Sequence, residues 1–249
     1  MDSEISVSIV TISYNSGATI RQTIESVLNQ TVPCKEYFVV DGQSTDQTVA
    51  IAEEYREKFA QKGVDYRIRS EKDRGLYDAM NKGIAMTSGT LVGLINSDDW
   101  YEPEAVETVL CQYAKDPFDM MYADLNMIQN EKVRGVKHAR LRKNYITTRD
   151  WNHPTTFIRR SLYRLYQYPC QSVYDDLDVL LKIRKNKHKV VIVNRVLANY
   201  RLGGCSNQKS LRAALERMRL KYRIYRENGY SRLYFFEALF MEIGKWLLV

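Results

Sequence analysis

Apolar residues follow two spacings along the first half of the chain. Ser6 to Ser13 is rich in Val and Ile and predicts a strand, after which Ile20, Ile24, Val27 and Leu28 recur at helical spacing. Tyr37 to Val40 predicts a second strand ending at Asp41-Gly42, and Ser44-Thr45-Asp46-Gln47 reads as a capping box opening a helix, with Asp46 as a capping residue. Tyr66 to Arg69 supplies a third strand. Leu76, Met80, Gly83 and Ile84 then share one helical face, and the unbroken apolar run Leu91 to Ile95 reads as a strand buried on both faces. A helix is expected near Pro103. Such alternation is the signature of parallel strands joined by crossover helices, so the fold class is α/β. The second half is less regular: Met120 to Ala123, Thr155 to Ile158 and Val190 to Val193 predict strands, Leu177 to Ile183 a helix, and a basic hairpin or loop follows the first of these.

The last 43 residues differ in character. Leu211, Leu215, Met218 and Tyr222 recur at helical spacing, Asn228-Gly229 is a helix stop, and Leu233, Phe236, Leu239, Phe240, Ile243, Trp246 and Leu247 form a second stripe. Between residues 207 and 249 there are nine bases and four acids, so most of the net charge of +7 sits there. Basic amphipathic helices of this kind lie in the headgroup layer of an anionic membrane, dock on their own domain, or join two copies in a homodimer. Nucleic acid is not the expected partner, because no recognised nucleic-acid module accompanies the charge. The organisation expected is a domain over 1–206, in halves 1–125 and 126–206, with a helical tail over 207–249.

At 249 residues, 45% apolar and 27% charged, the chain has the composition of a soluble globular protein. Four widely spaced cysteines form neither a zinc pattern nor a disulfide framework, which fits a reducing compartment such as the cytoplasm. There is no secretory signal pattern and no run of roughly 18 apolar residues to span a bilayer.

Candidate chemistry gathers where strands end. Ser13-Tyr14-Asn15, Asp41-Gly42 and Asn96-Ser97-Asp98-Asp99 close three strands whose carboxyl ends form the ligand-binding rim of such a sheet. Adjacent carboxylates repel and are costly to desolvate, so the acid pair either holds a cation, Mg2+ or Mn2+ by its oxygen ligands, or sits in a solvated turn with Asp99 opening the next helix.

Ser8-Ile9-Val10-Thr11-Ile12-Ser13-Tyr14-Asn15, Ser26-Val27-Leu28-Asn29-Gln30, Val39-Val40-Asp41-Gly42-Gln43-Ser44-Thr45-Asp46 and Asn96-Ser97-Asp98-Asp99 resemble, in order and spacing, the family 2 glycosyltransferases with the GT-A fold. The stretch Ser70 to Gly83 looks like the branch that builds bacterial surface polysaccharides. His153-Pro154, Asp175-Asp176-Leu177-Asp178 and Gly203-Gly204-Cys205-Ser206 extend the likeness, which covers roughly residues 5 to 206. Each motif is weak alone; the ordered set is specific.

The resemblance implies an inverting transferase that moves a sugar from a nucleotide diphosphate, uridine diphosphate being the first choice, to a glycan or lipid-linked glycan. It implies Asp99 as the ligand of Mn2+ or Mg2+, Asp98 on the ribose, and His153 near sugar and metal. Tyr14 is expected to stack on the base or to pack under a loop; Ser13 and Asn15 belong to the same donor strand end, and Asp41 is to meet base or ribose. Relatives often carry a second acid where this chain has Gly42, so Asp41 or Asp73 is expected to stand in. Asp73 and Arg74 line the donor site, with Arg74 on phosphate, or form a charged turn ended by Gly75. Asp176 is implied as the general base, with Asp175 as a cap and Asp178 structural. Gly203 to Ser206 is a segment closing over the diphosphate or a plain turn. Peripheral attachment to the inner membrane face would suit a lipid-linked acceptor. Two rivals remain: a sugar nucleotidyltransferase, which would carry a Gly-rich basic loop where Ser13-Tyr14-Asn15-Ser16-Gly17 stands, and a non-catalytic nucleotide-sugar or membrane-binding module.

Overall fold

In the computed structural model, which describes residues 5–203 and 211–248, strand β1 (Val7–Ser13) sends Val10 and Ile12 into one apolar layer and Val7 and Ile9 into another. A strand alternates its side chains between two faces, so a run without polar breaks demands a cover on each side of the sheet. β2 (Glu36–Asp41) divides Phe38 and Val40 from Tyr37 and Val39 in the same way. With β3 (Asp65–Ser70) and β4 (Leu91–Asn96) these strands pair in parallel in the order β3-β2-β1-β4. Helices α1 (Ile20–Leu28), α2 (Thr48–Glu53), α3 (Arg56–Gln61) and α4 (Leu76–Met86) lie in the crossovers. α4 sits so close on the sheet that a Cβ at Gly83 would stand 2.3 Å from Val10 Cγ1, which is why the helix needs a glycine there.

Beyond β4 the sheet becomes mixed. After β5 (Trp100–Tyr101) and α5 (Ala105–Lys115) come β6 (Met120–Gln129), β7 (Lys132–Lys137), β8 (Phe157–Arg159), α6 (Arg160–Leu165), α7 (Asp175–Lys185) and β9 (Val190–Arg201). β8 lies antiparallel between β4 and β6, β9 runs parallel to β6, and β5 closes the far edge against β9. The basic stretch is a hairpin, β6 to β7, turning at Asn130 and Glu131 with φ of +50° and +58°.

Three local expectations fail. Ser44 caps no helix, because its hydroxyl and its N–H both bond to Asp41, and α2 starts only at Thr48. Asp46 instead takes the Thr48 N–H at 3.0 Å and the Gly17 N–H at 2.9 Å, tying the helix start to the loop after β1. Thr155 is not in a strand: Pro154 favours a 3-10 turn over His153–Thr155, and the strand begins at Phe157. Nor does Asp99 open a helix from a solvated turn, since it is buried and runs directly into β5.

The tail forms α8 (Leu211–Glu227) and α9 (Tyr234–Leu248). Gly229, at φ +77°, makes the stop between them. Ile224, Tyr225 and Tyr234 enter the same apolar layer as α4 and α7, and Tyr225 Oη donates to the Ile146 carbonyl at 3.1 Å. Asp178 is structural, accepting from Asn228 Nδ2 at 2.7 Å and from Lys182 Nζ at 2.6 Å. The opposite stripe, including Leu233, Phe236, Phe240 and Ile243, stays exposed. Among the described residues no helix is long and apolar enough to cross a membrane.

Candidate active site

The carboxyl ends of β1, β2 and β4 lie side by side, as parallel pairing requires, and the loops after them form one rim. Asp41 is the knot of that rim rather than a free ligand. It is fully buried, and its carboxylate accepts from the Ser44 N–H and hydroxyl, from Ser70 Oγ at 2.7 Å and from Ser13 Oγ at 3.0 Å. Four donors satisfy a carboxylate, so Asp41 ties the loops after β1 and β2 to β3, with the Ser13 hydroxyl giving its one proton to it. Asn15 is likewise a staple: with φ +48°, it accepts the Thr45 N–H at 2.9 Å on Oδ1 and donates its own N–H to Ser44 Oγ at 2.8 Å.

What remains accessible is Tyr14, 65% exposed, with its ring beside Gly42. A Cβ at Gly42 would lie 2.6 Å from Asp73 Oδ2 and 3.4 Å from Tyr14 Cδ2. The carboxylate of Asp73 therefore occupies the space a side chain at 42 would fill. Its other oxygen, Oδ1, is held by the Gly75 N–H at 2.8 Å. Arg74, in the loop before α4, is exposed and grips Asp78 in the first turn of that helix at 2.8 Å, holding that carboxyl down to about 2.

The acid pair is asymmetric. Asp99 is 0% exposed, with Oδ1 accepting the Arg201 N–H at 3.0 Å and Oδ2 buried without a partner. Burial, then the neighbouring Asp98 charge, pushes its carboxyl well above the usual range. A buried carboxylate oxygen without a partner is an acceptor that a hard cation would satisfy. Asp98 is half-buried, with its own pKa raised by burial. Arg201 braces both residues. Its Nε donates to the Asp98 carbonyl at 3.2 Å, Nη2 reaches Gln22 at 2.7 Å, and the guanidinium lies 5.1 Å from the centre of the Trp100 ring.

At the end of β4 a cavity of about 1580 Å3 opens, and Asn96, His153 and Asp176 line it together. Asp176 sits in the first turn of α7, where Oδ1 accepts the Leu177 N–H at 2.8 Å. Burial raises its pKa, only partly opposed by His153; the same burial lowers the pKa of His153, whose ring packs edge-on to Trp151 at 5.7 Å. A raised carboxylate facing a cavity is suited to accept a proton. Asp175 is not a helix cap: it takes the N–H groups of Gln171 and Ser172, each at 2.9 Å, and so closes the loop that aims Asp176.

Among the described residues no three acid, imidazole or thiol groups stand close enough to hold a metal by themselves. A half-open Asp98 beside an orphaned Asp99 oxygen fits a hard cation shared with a phosphate-bearing ligand, the usual arrangement for Mg2+ and its relatives. Of Gly203 to Ser206 only Gly203 is described; 204–206 lie outside the described residues. Arg201 and Tyr77, whose hydroxyl interacts with Asp176, went unread in the sequence. Arg201 had a signal, a cation closing a strand that precedes a Gly pair; Tyr77 had none, being one apolar position among several on α4.

Over 110 residues, 44% of this chain and 16% of the relative, the sequence is 36% identical to chondroitin synthase of Escherichia coli. It is also 36% identical over 104 residues to the putative glycosyltransferase EpsH of Bacillus subtilis, covering 42% of this chain and 29% of that one. The chain thus spans well under half the length of these curated relatives. The fold is similar to S. aureus TarS 1–349 in complex with UDP (TM-score 0.69, 18% identity, 98% of this chain and 72% of that chain). It is also similar to the Pyrobaculum calidifontis mannosyltransferase PcManGT in complex with GDP-Man and Mn2+ (TM-score 0.66, 15% identity, 96% and 73%). Residues 8–172, two thirds of the chain and the whole of the rim just described, match the model of glycosyl transferase family 2, and the chain belongs to that family, with a GT-A fold.

Proposed function

We propose that the protein is an inverting glycosyltransferase of bacterial polysaccharide synthesis, taking a sugar from a uridine diphosphate donor. The observation that carries this reading is the shared cavity wall: Asp176 and His153 meet the end of β4 two residues before the acid pair. The donor reading draws on TarS, solved with UDP and with UDP-GlcNAc. On this reading Tyr14 stacks on the base and Asp73 Oδ2 accepts from its edge, in the place left by Gly42. Arg74 is exposed and near enough in sequence to Asp73 to turn toward phosphate.

Asp176 accepts the proton of an acceptor hydroxyl while that oxygen attacks the anomeric carbon from the face opposite the diphosphate. The carbon–oxygen bond to the diphosphate breaks, its electron pair leaves with phosphate, and the configuration inverts. A bound Mn2+ or Mg2+ supplies charge neutralisation for the leaving group. Asp99, through its unpartnered Oδ2, and His153 would hold it, and Asp98 would meet the ribose. His153, kept neutral by burial, has a ring nitrogen free for an ion or a sugar hydroxyl.

A thermal-shift series tests this. With Mn2+, saturating UDP is expected to raise the melting point by on the order of 5 °C, as about 2–3 kcal/mol of linkage would in a domain of this size. Asp99→Asn should lose the Mn2+-dependent part. No shift with UDP or GDP, with or without Mn2+, would overturn the transferase reading; a Mn2+-dependent part retained in Asp99→Asn would take the ion away from Asp99.

A further inference from the structure

One buried acid has no part in the chemistry above. Asp124, on β6, is 5% exposed, and both of its oxygens are engaged: Oδ1 accepts the Ala139 N–H at 2.7 Å and Oδ2 meets His138 Nδ1 at 2.8 Å. The backbone N–H by itself would tie the end of β7 to β6. The ring adds something that tie does not need, because the His138 side chain is 65% exposed and lines the same cavity as His153 and Asp176. Asn152 fixes its place there. Its buried Nδ2 donates to the Ala123 carbonyl at 2.8 Å and to the Lys137 carbonyl at 3.1 Å. Asp124 and His138 each follow directly on a residue that this amide holds, and His153 follows on Asn152 itself.

A carboxylate only accepts, so it selects the neutral imidazole that carries its proton on Nδ1. Nε2 is then a bare lone pair on a ring that lines the cavity, with no hydrogen-bond partner among the described residues. Such a nitrogen takes a hydrogen from a hydroxyl and not from a carboxylate, which has none to give. Hydroxyls are what an acceptor sugar presents; Asp176 consumes the proton of one, and the others are left for recognition. We propose that His138 is an acceptor-binding residue, whose Nε2 accepts from a hydroxyl of the acceptor sugar other than the one that attacks, and that Asp124 is the positioning residue that sets its tautomer. The inference rests on the transfer reading and names a residue that chooses among acceptors, since a sugar without that hydroxyl leaves the nitrogen unpaired.

Long-range proton–nitrogen correlation spectra of the nitrogen-labelled full chain decide it, since only three histidines, His138, His153 and His188, contribute. With UDP and Mg2+ at about pH 8, above the ordinary imidazole range, the parent is expected to show His138 as the Nδ1–H tautomer, its signal identified by its loss in His138→Gln. Methyl glycosides of glucose, galactose, mannose and N-acetylglucosamine are the probes. At least one should shift the Nε2 signal, and its analogue deoxygenated at one carbon should not. His138→Ala should weaken that glycoside by about tenfold, and His138→Gln, whose amide oxygen also accepts, should recover most of the loss. Asp124→Asn has one oxygen for two donors, so its amide turns to the ring and moves the proton to Nε2. That variant should weaken the glycoside while the UDP shift in melting point is retained; a role in packing alone would not move the tautomer. An Nε2–H tautomer in the parent, a His138 ring that none of the glycosides moves, or an affinity unchanged in His138→Ala overturns the proposal. UDP thermal shifts on the same samples separate the two readings: a shift without these responses sinks only the role of His138, whereas no shift sinks the transfer reaction on which it rests.

Discussion

Asp176 is asked to be both a base and a buried charge. Burial holds its folded pKa above the ordinary 3.8, so ionising it at neutral pH costs stability that an unfolded chain would not lose. For a group raised in this way the contribution is fully present below the unfolded value and disappears as pH rises through the folded one. Asp176→Asn is therefore expected to melt higher than the parent at neutral pH, the gap closing as the pH falls towards 3.8. Its turnover should fall about a hundred- to ten-thousand-fold with UDP binding retained. A melting point unchanged across the pH series would show that Asp176 ionises freely. Gly42 makes the complementary case on the donor side. An added methyl would lie 2.6 Å from Asp73 Oδ2, so Gly42→Ala should displace that carboxylate and weaken UDP by about tenfold, without a comparable loss in melting point. These roles were only half legible. The strand-end position of Asp41 and the acid pair could be read from the sequence, but solvent access could not. Asp41 reads as a rim acid by its place alone, and that Ser13, Ser44 and Ser70 converge on it from three separate segments, or that one oxygen of Asp99 is left without a partner, is set by the fold and invisible in the letters.

At the level of elements, the parallel half was readable because each strand there feeds two apolar layers and leaves an unbroken run. The remainder was harder for a definite reason. β8 is three residues long, the turn at Pro154 replaces the strand start, and β9 runs without alternation from half-buried residues through exposed Asn194 and Arg195 to a buried triplet, along an irregular pairing with β6. The amphipathic tail was legible as helices, yet its partner was not, since the same stripe suits a membrane, a domain or a second copy. The contact that decides the inner face is ionic: Glu242 on α9 bonds Lys221 at 3.3 Å and Arg217 at 2.8 Å on α8, and receives the Tyr174 hydroxyl at 3.2 Å. Lys221 is 1% exposed. Removing one member leaves a buried charge uncompensated, which costs about 3–5 kcal/mol, so Glu242→Ala should lose that much in urea unfolding. Adding Lys221→Met should restore part of it, because the buried ammonium no longer has to be desolvated, while the space left by the Glu242 side chain and the unpaired Arg217 keep the rest. Recovery absent from the double variant would mean that the loss came from packing alone.

The two apolar layers divide the molecule functionally. α1, α3 and α5 with one face of the sheet make a layer that includes no described residue of the tail, whereas α4, α7, α8 and α9 share the other. The nucleotide rim hangs on loops after β1 and β2, which are anchored through Asp41 and Asp46 without any tail residue. Asp176 stands on the side the tail closes: Tyr174, two residues before it, is fixed to Glu242, and Thr147 on the same cavity is fixed to Glu237. Deleting 207–249 should therefore uncouple two properties that a single compact core would lose together. The truncated chain is expected to melt lower, exposing the surface that Ile224, Tyr225 and Tyr234 now cover, and to retain Mn2+-dependent UDP binding within about threefold. Sugar transfer should fall far more steeply than donor hydrolysis, because the base and the acceptor walls lose their support while the leaving group keeps its own. A truncation that binds UDP and transfers sugar as fast as the parent would mean that the helices merely lie on a finished enzyme. Proportional loss of both would mean that the two layers fold and function as one.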